Sequence, residues 1–225
     1  MIPEVQLWHS PHVSERVAVG TIYGVGSNYA AHIAEMKSKP ADEPVIFIKP
    51  ATALVSGEAA LTYPQRLTQC LHHEVEMVLL VGQSLWEATP TQAAAAIVGV
   101  GVGLDLTLRD RQQQAKAAGR PWSVAKGFRQ AAPVSLFLPP AQLGDLQHLG
   151  LTLWVNQEVR QQGNTEHMLY SAVDLLCYLS TVFPLRRGDL VFTGTPEGVD
   201  VLHPGDLLSV ALTGETEIRH NWRVD

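Results

Sequence analysis

The sequence predicts a single α+β domain dominated by strands, on three observations. Short apolar runs closed by Gly, Pro, Asn or Asp recur along the chain, as buried strands and their turns do. Helical spacing of apolar residues is confined to a few stretches, the clearest being Ala172, Val173, Leu175, Leu176, Leu179 and Val182 behind Ser171. No repeat or compositional break divides the 225 residues, 46% of them hydrophobic, so one core spanning 1–225 is expected.

Taken in order, residues 17–26 read as a strand running into a Gly-rich turn. Residues 27–36 suggest a short helix or helical loop, and the polar stretch from Met36 to Glu43, with Pro40, a mobile loop. A strand over 44–55 ends at Pro50. The run His72 to Gly82 is a buried strand with Glu74 and Glu76 at its mouth. Thr89-Pro90-Thr91-Gln92 matches a capping box, opening a helix over 90–98. Glycines 99, 101 and 103 alternate with Val in a strand that another backbone approaches closely. They do not complete G-x-G-x-x-G, because position 104 is Leu, and no dinucleotide site is read there. A helix follows over 110–119, closed by Gly. Strands at 134–138, 151–156 and 158–162 come next, the last two joined through Asn156-Gln157, then the helix after Ser171 and strands at 190–192 and 207–212.

Strand geometry gives the acids their interest. Side chains two apart share a face, so Glu74 and Glu76 converge, and two close anions need a cation or a proton unless both are solvated on an open strand edge. Asp105 lies between Leu104 and Leu106, where a carboxylate needs a partner. His32 and Glu35, three apart, are either an ordinary surface pair or a carboxylate orienting an imidazole for proton transfer. Lys126, in an apolar stretch, either snorkels to solvent or faces the acids.

Composition excludes several classes. Sixteen Lys and Arg against 22 Asp and Glu give a formal charge of -6, with no basic block, so nucleic acid is not an expected partner. No apolar run approaches the ~20 residues of a membrane span, and Met1-Ile2-Pro3-Glu4-Val5 lacks a signal-peptide pattern, so a cytoplasmic location is expected. Cys70 and Cys177 are far apart and read as reduced core thiols.

Asn28-Tyr29-x-x-His32-x-x-Glu35, Glu74-x-Glu76, Asp105 with Arg109-Asp110-x-Gln112, Lys126, and Thr193-Gly194-Thr195-Pro196-x-Gly198 occur in an order and spacing that resemble the fumarylacetoacetate hydrolase family over about residues 20–212. The resemblance implies a mixed β-sandwich roll with peripheral helices, usually dimeric, here as a short catalytic-domain member close to the acylpyruvase group. Residues 1–16 would be an N-terminal extension and about 27–43 an active-site lid. It also implies that Glu74, Glu76 and Asp105 hold Mg²⁺ or Mn²⁺, in keeping with hard oxygen ligands and the lack of Zn-type Cys or His spacing. His32 and Glu35 would activate water, Lys126 would stabilise an enolate or carboxylate, and Thr195 would contact the substrate carboxylate. Arg109 and Gln112 would contact substrate, unless Arg109 pairs with Asp110 or another acid. The implied substrate is a small 2-oxo or dioxo acid, and the leading activity is metal-dependent hydrolysis of a C–C bond in acylpyruvates such as fumarylpyruvate or acetylpyruvate. The same metal and enolate chemistry would serve an oxaloacetate decarboxylase, an oxaloacetate keto-enol tautomerase or a 2-hydroxy-diene-dioate isomerase, and a non-catalytic small-acid-binding protein is the remote alternative. Arg129 stands where relatives often have Asp or Thr, and would suit a dicarboxylate if it lay near the pocket.

Overall fold

The computed structural model describes residues 2–10, 12–36 and 42–225, so part of the expected lid and loop, residues 37–41, lies outside the described residues. Strands β1 (Glu4–Ser10) and β2 (Val13–Ala18) form a hairpin, followed by β3 (Ile22–Gly26), helix α1 (Ala30–Glu35), β4 (Val45–Lys49), β5 (Leu54–Ser56), β6 (Leu71–His72) and β7 (Val75–Val81). Next come α2 (Pro90–Ala96), β8 (Ile97–Leu104), β9 (Thr107–Leu108), α3 (Arg109–Ala117), α4 (Ser123–Lys126) and β10 (Ala132–Val134). The chain closes with β11 (Gly150–Val155), β12 (Glu158–Asn164), α5 (Ala172–Val182), β13 (Leu190–Phe192), β14 (Leu207–Thr213) and β15 (Glu217–Arg223).

A mixed seven-stranded sheet, in the order β4-β3-β13-β7-β8-β10-β5, faces an antiparallel four-stranded sheet, β12-β11-β14-β15. Both pack around β7. Its Met77, Leu79 and Val81 join Leu151, Leu153, Val210 and Leu212 of the second sheet in one core cluster. Its Val78 and Leu80 join Val5, Leu7 and Val17 of the N-terminal hairpin in another. Burial on two faces is why β7 reads as an unbroken apolar run rather than an alternating one. The fold is the strand-dominated α+β roll the sequence predicts, with its helices at the periphery.

The glycines of β8 meet the expected backbone: a methyl on Gly101 would come within 3.0 Å of the Leu136 carbonyl oxygen, and one on Gly103 within 2.8 Å of that of Pro133. The expected capping box of Thr89 with Gln92 is present, and Ser171 forms a second with Asp174. Asn156 and Gln157 join β11 to β12 at φ 52° and 71°, the left-handed geometry of a two-residue hairpin.

Several expectations are corrected. Residues 17–26 are two strands, because Val19 N donates to Pro3 O and Thr21 N to Asp189 Oδ1, each at 2.8 Å, which turns the chain from the hairpin into the large sheet. The strand carrying glycines 99, 101 and 103 runs from Ile97 to Leu104, and the one expected over 134–138 is Ala132–Val134. β1 and β15, mixed in polarity, have no strong apolar pattern. The cysteines are free but only half-buried. Among the described residues, no helix is long and apolar enough to cross a membrane.

Candidate active site

Antiparallel register builds the acid cluster. Val75 faces Leu104 and Glu76 faces Gly103, so Asp105, the first residue beyond β8, arrives beside Glu74, the last before β7. The Asp105 amide donates to the Glu74 carbonyl at 2.8 Å and fixes that crossing. Glu74, Glu76 and Asp105 are 4%, 1% and 1% exposed, which rules out the open strand edge. One carboxylate oxygen from each lies within 4.8 Å of the others.

Three cations from three elements face these acids. Lys126, closing α4, donates to Glu74 Oε2 and Thr107 Oγ1 at 2.7 Å each, and to Asp105 Oδ2. It faces the acids and does not snorkel. Arg109, opening α3, donates to Glu74 Oε1 and, at 2.6 Å, to Gln112 Oε1, so its partner is Glu74 rather than Asp110. Lys49, closing β4, is fully buried and donates to the carbonyls of Leu106, Lys126 and Ala131. Burial pushes the Glu74 carboxyl up, but Lys126 and Arg109 outweigh it and hold the group well below the usual range. Glu76 makes no ion pair among the described residues. Burial, then Asp105 and Glu74, push it well above that range, against Lys126 and an N–H from Gly194 at 2.7 Å.

This arrangement fits a divalent cation. Asp105 Oδ1 lies 2.7 Å from Lys49 Nζ, an ammonium it shares with three backbone carbonyls, whereas Glu76 makes no ion pair among the described residues. Three buried carboxylates converging within 4.8 Å, one of them repelled by its neighbours, form an oxygen donor set that a hard divalent cation relieves.

The His32 and Glu35 pair sits across from the acids. His32 Nδ1 lies 3.0 Å from Glu35 Oε2, while Glu35 Oε1 accepts from the Gly198 amide at 2.9 Å. The pair is therefore no free surface couple, since His32 is 8% exposed. His32 lines a cavity of about 30 Å³ with Glu74, Arg109, Gln112, Lys116 and Lys126, room for about one water. A larger cavity of about 630 Å³, between the N-terminal hairpin and the segment Leu54–Glu58, holds none of the three acids. Arg129 is exposed and does not line the small cavity.

The turn Thr193–Gly198 joins these parts. Thr193 Oγ1 donates to Met77 O at 2.9 Å and Thr195 Oγ1 to Val75 O at 2.8 Å, which seats the turn on β7. Asn28, just before α1, donates to Thr193 O at 2.8 Å and accepts from Tyr170 N at 2.8 Å, tying the dyad's helix to the same turn. Every site residue read from the sequence thus falls in one region, although the Thr195 hydroxyl is engaged with the strand.

Several residues of this region escaped sequence reasoning, Thr107 and Lys116 among them. Lys49 left one trace, a lysine ending the apolar run Val45-Ile46-Phe47-Ile48 before Pro50. Gln161 left none. A bulge between Leu153 and Trp154 pairs Gln161 with Leu153 and Val159 with Trp154, so the glutamine turns inward and the valine outward.

Residues 21–222 match the model of the fumarylacetoacetate (FAA) hydrolase C-terminal family. An oxaloacetate tautomerase of Escherichia coli is 48% identical over 199 residues, covering 88% of this chain and 90% of its own length. A mitochondrial oxaloacetate tautomerase of Arabidopsis thaliana is 40% identical over 195 residues, 87% of each chain. The crystal structure of fumarylpyruvate hydrolase from Pseudomonas aeruginosa, in complex with Mn²⁺ and pyruvate, superposes with a TM-score of 0.89 at 36% identity, over 98% of this chain and 95% of that one. With the acids, the dyad and the turn assembled on this roll and the family match running through nearly all of it, the chain belongs to the fumarylacetoacetate hydrolase family.

Proposed function

We propose that this protein is an oxaloacetate keto-enol tautomerase dependent on Mg²⁺ or Mn²⁺. The observation that carries the reading is the 48% identity, over nine-tenths of its length, to an enzyme of that activity. The lining agrees in charge, Arg109, Lys116 and Lys126 against Glu74 suiting a small dianion, although a cavity of about 30 Å³ would have to widen to admit one. The kinship favours this alternative over C–C hydrolysis, which sequence reasoning placed first.

Glu74, Glu76 and Asp105 would hold the metal, which supplies Lewis-acid polarisation of a 2-oxo group and lowers the pKa of the neighbouring C–H. Tautomerisation then needs only two proton movements, one on C3 and one on the enol oxygen. His32 suits the first, because Glu35 occupies Nδ1 and leaves Nε2 to take or give a proton. The Lys126 ammonium, fixed by Thr107 and the acids, lies where it can hold negative charge developing on the enolate. Arg109 and Gln112 would orient the distal carboxylate, and Thr195, in its turn, the proximal one.

Hydrolysis of acylpyruvates is the second reading, favoured by the intact 3.0 Å dyad that could activate water and by the likeness to a fumarylpyruvate hydrolase. The test supplies Mn²⁺ to chelator-stripped protein and follows enol-oxaloacetate absorbance, CO₂ release, and pyruvate formation from fumarylpyruvate. Fast loss of the enol band without CO₂ is expected. Pyruvate from fumarylpyruvate with inert oxaloacetate would replace this reading by the second.

A further inference from the structure

Gln161 reaches the site from the second sheet, on β12, and is 1% exposed. Its side chain is fully engaged. Oε1 accepts from Val75 N at 3.0 Å and lies 2.9 Å from His73 Nδ1, so the imidazole carries its proton on Nδ1 to complete the pair. Nε2 donates to Thr195 Oγ1 at 2.8 Å and to Pro196 O at 2.9 Å. The first two partners enter the acid-bearing strand, and the last two belong to the turn that also holds Glu76 and Glu35. One amide thus spans both halves.

The surrounding backbone is cut to fit this contact. A methyl on Gly163, two residues along β12, would lie 2.5 Å from Pro196 Cβ, and one on Gly198, at φ +94°, would collide with the Arg160 carbonyl oxygen. The turn therefore lies flat on β12, with Gln161 as the polar pin between them.

We infer that Gln161 is a positioning residue, setting the Thr193–Gly198 turn against β7 and so placing the substrate carboxylate relative to the acids. The inference deepens the tautomerase reading and rests on it for the identity of the ligand. Losing two buried hydrogen bonds to the turn should weaken carboxylate binding about tenfold while leaving the acids in place.

Gln161→Leu removes all four contacts. Gln161→Glu keeps the acceptor for Val75 and His73 but sets a carboxylate oxygen against Thr195 and Pro196. In Mn²⁺-loaded protein both variants are expected to bind pyruvate about tenfold more weakly by calorimetry, and to raise KM for oxaloacetate more than they lower kcat. Mn²⁺ affinity should change less than about twofold. In metal-free protein, amides of residues 193–198 should exchange about tenfold faster. Thr195→Val cuts the same link from the other end, so its effect should not add to that of Gln161→Glu, and this pair serves if Gln161→Leu does not fold. Unchanged pyruvate affinity and turn exchange in both Gln161 variants would overturn the inference, as would a loss of Mn²⁺ affinity matching the loss of pyruvate. Wild-type protein that neither binds pyruvate nor turns over oxaloacetate would overturn the tautomerase reading instead, and the exchange rates would still decide the part played by Gln161.

Discussion

Glu76 is the acid with the least support, lacking the cations that steady Glu74, and that makes it the sharpest probe of the cluster. Glu76→Ala is expected to lower Mn²⁺ affinity more than about 100-fold, beyond the cost of losing an outer partner, as read by calorimetry. His72 gives a pH signature. Burial, then the charge of Arg109, pull its imidazole down from the ordinary 6.5 to about 4. The folded protein keeps His72 neutral while the unfolded chain takes up a proton, so its contribution is whole above about pH 6.5 and is lost as pH falls toward about 4. His72→Gln should flatten that part of the acid limb in urea unfolding, and an unchanged limb would contradict the assignment. At this scale the sequence was most legible where period-two spacing did the work, as for Glu74 and Glu76. It was silent for Gln161 and gave one trace of Lys49, whose partners are backbone groups and side chains far along the chain.

Among the elements, those with local chemistry were legible. The capping box at Thr89, the helix start at Ser171 and the Asn156-Gln157 turn are written in a few adjacent residues, and each forms as read. Ser171→Ala is expected to cost about 1 kcal/mol in chemical denaturation, the usual effect of removing an N-cap. Elements set by distant contacts were not legible. The break at 19–21 depends on Asp189, and the inward turn of Gln161 on a bulge. Gly198→Ala tests the close seat of the turn on β12: positive φ and the Arg160 carbonyl together should cost about 1–3 kcal/mol and weaken pyruvate binding, since Glu35 hangs from the same amide.

Across the whole molecule, the two sheets share one core through β7, so stability and site geometry are not independent. Leu153→Ala, opening a cavity between the sheets, is expected to cost about 2–5 kcal/mol and to unfold the protein in a single transition followed equally by near- and far-UV signals. The roll and its site were legible in outline because five spaced motifs had to converge. The reaction was not, since one set of acids, lysine and dyad would serve hydrolysis or tautomerisation alike, and only the relatives weigh toward the second.

His32 and Glu35 ride on a six-residue helix, whereas the acids are woven into or anchored beside the strands of the central sheet. Under the proposed function, holding the electrophile and moving its protons would fall to different elements. Substituting Ala30–Glu35 with the corresponding helix of a hydrolytic relative should shift the ratio of C–C cleavage to tautomerisation at constant Mn²⁺ affinity, and a changed affinity would show the two tasks to be fused. A scaffold divided in this way lets selection exchange one reaction for another at the rim without reopening the core.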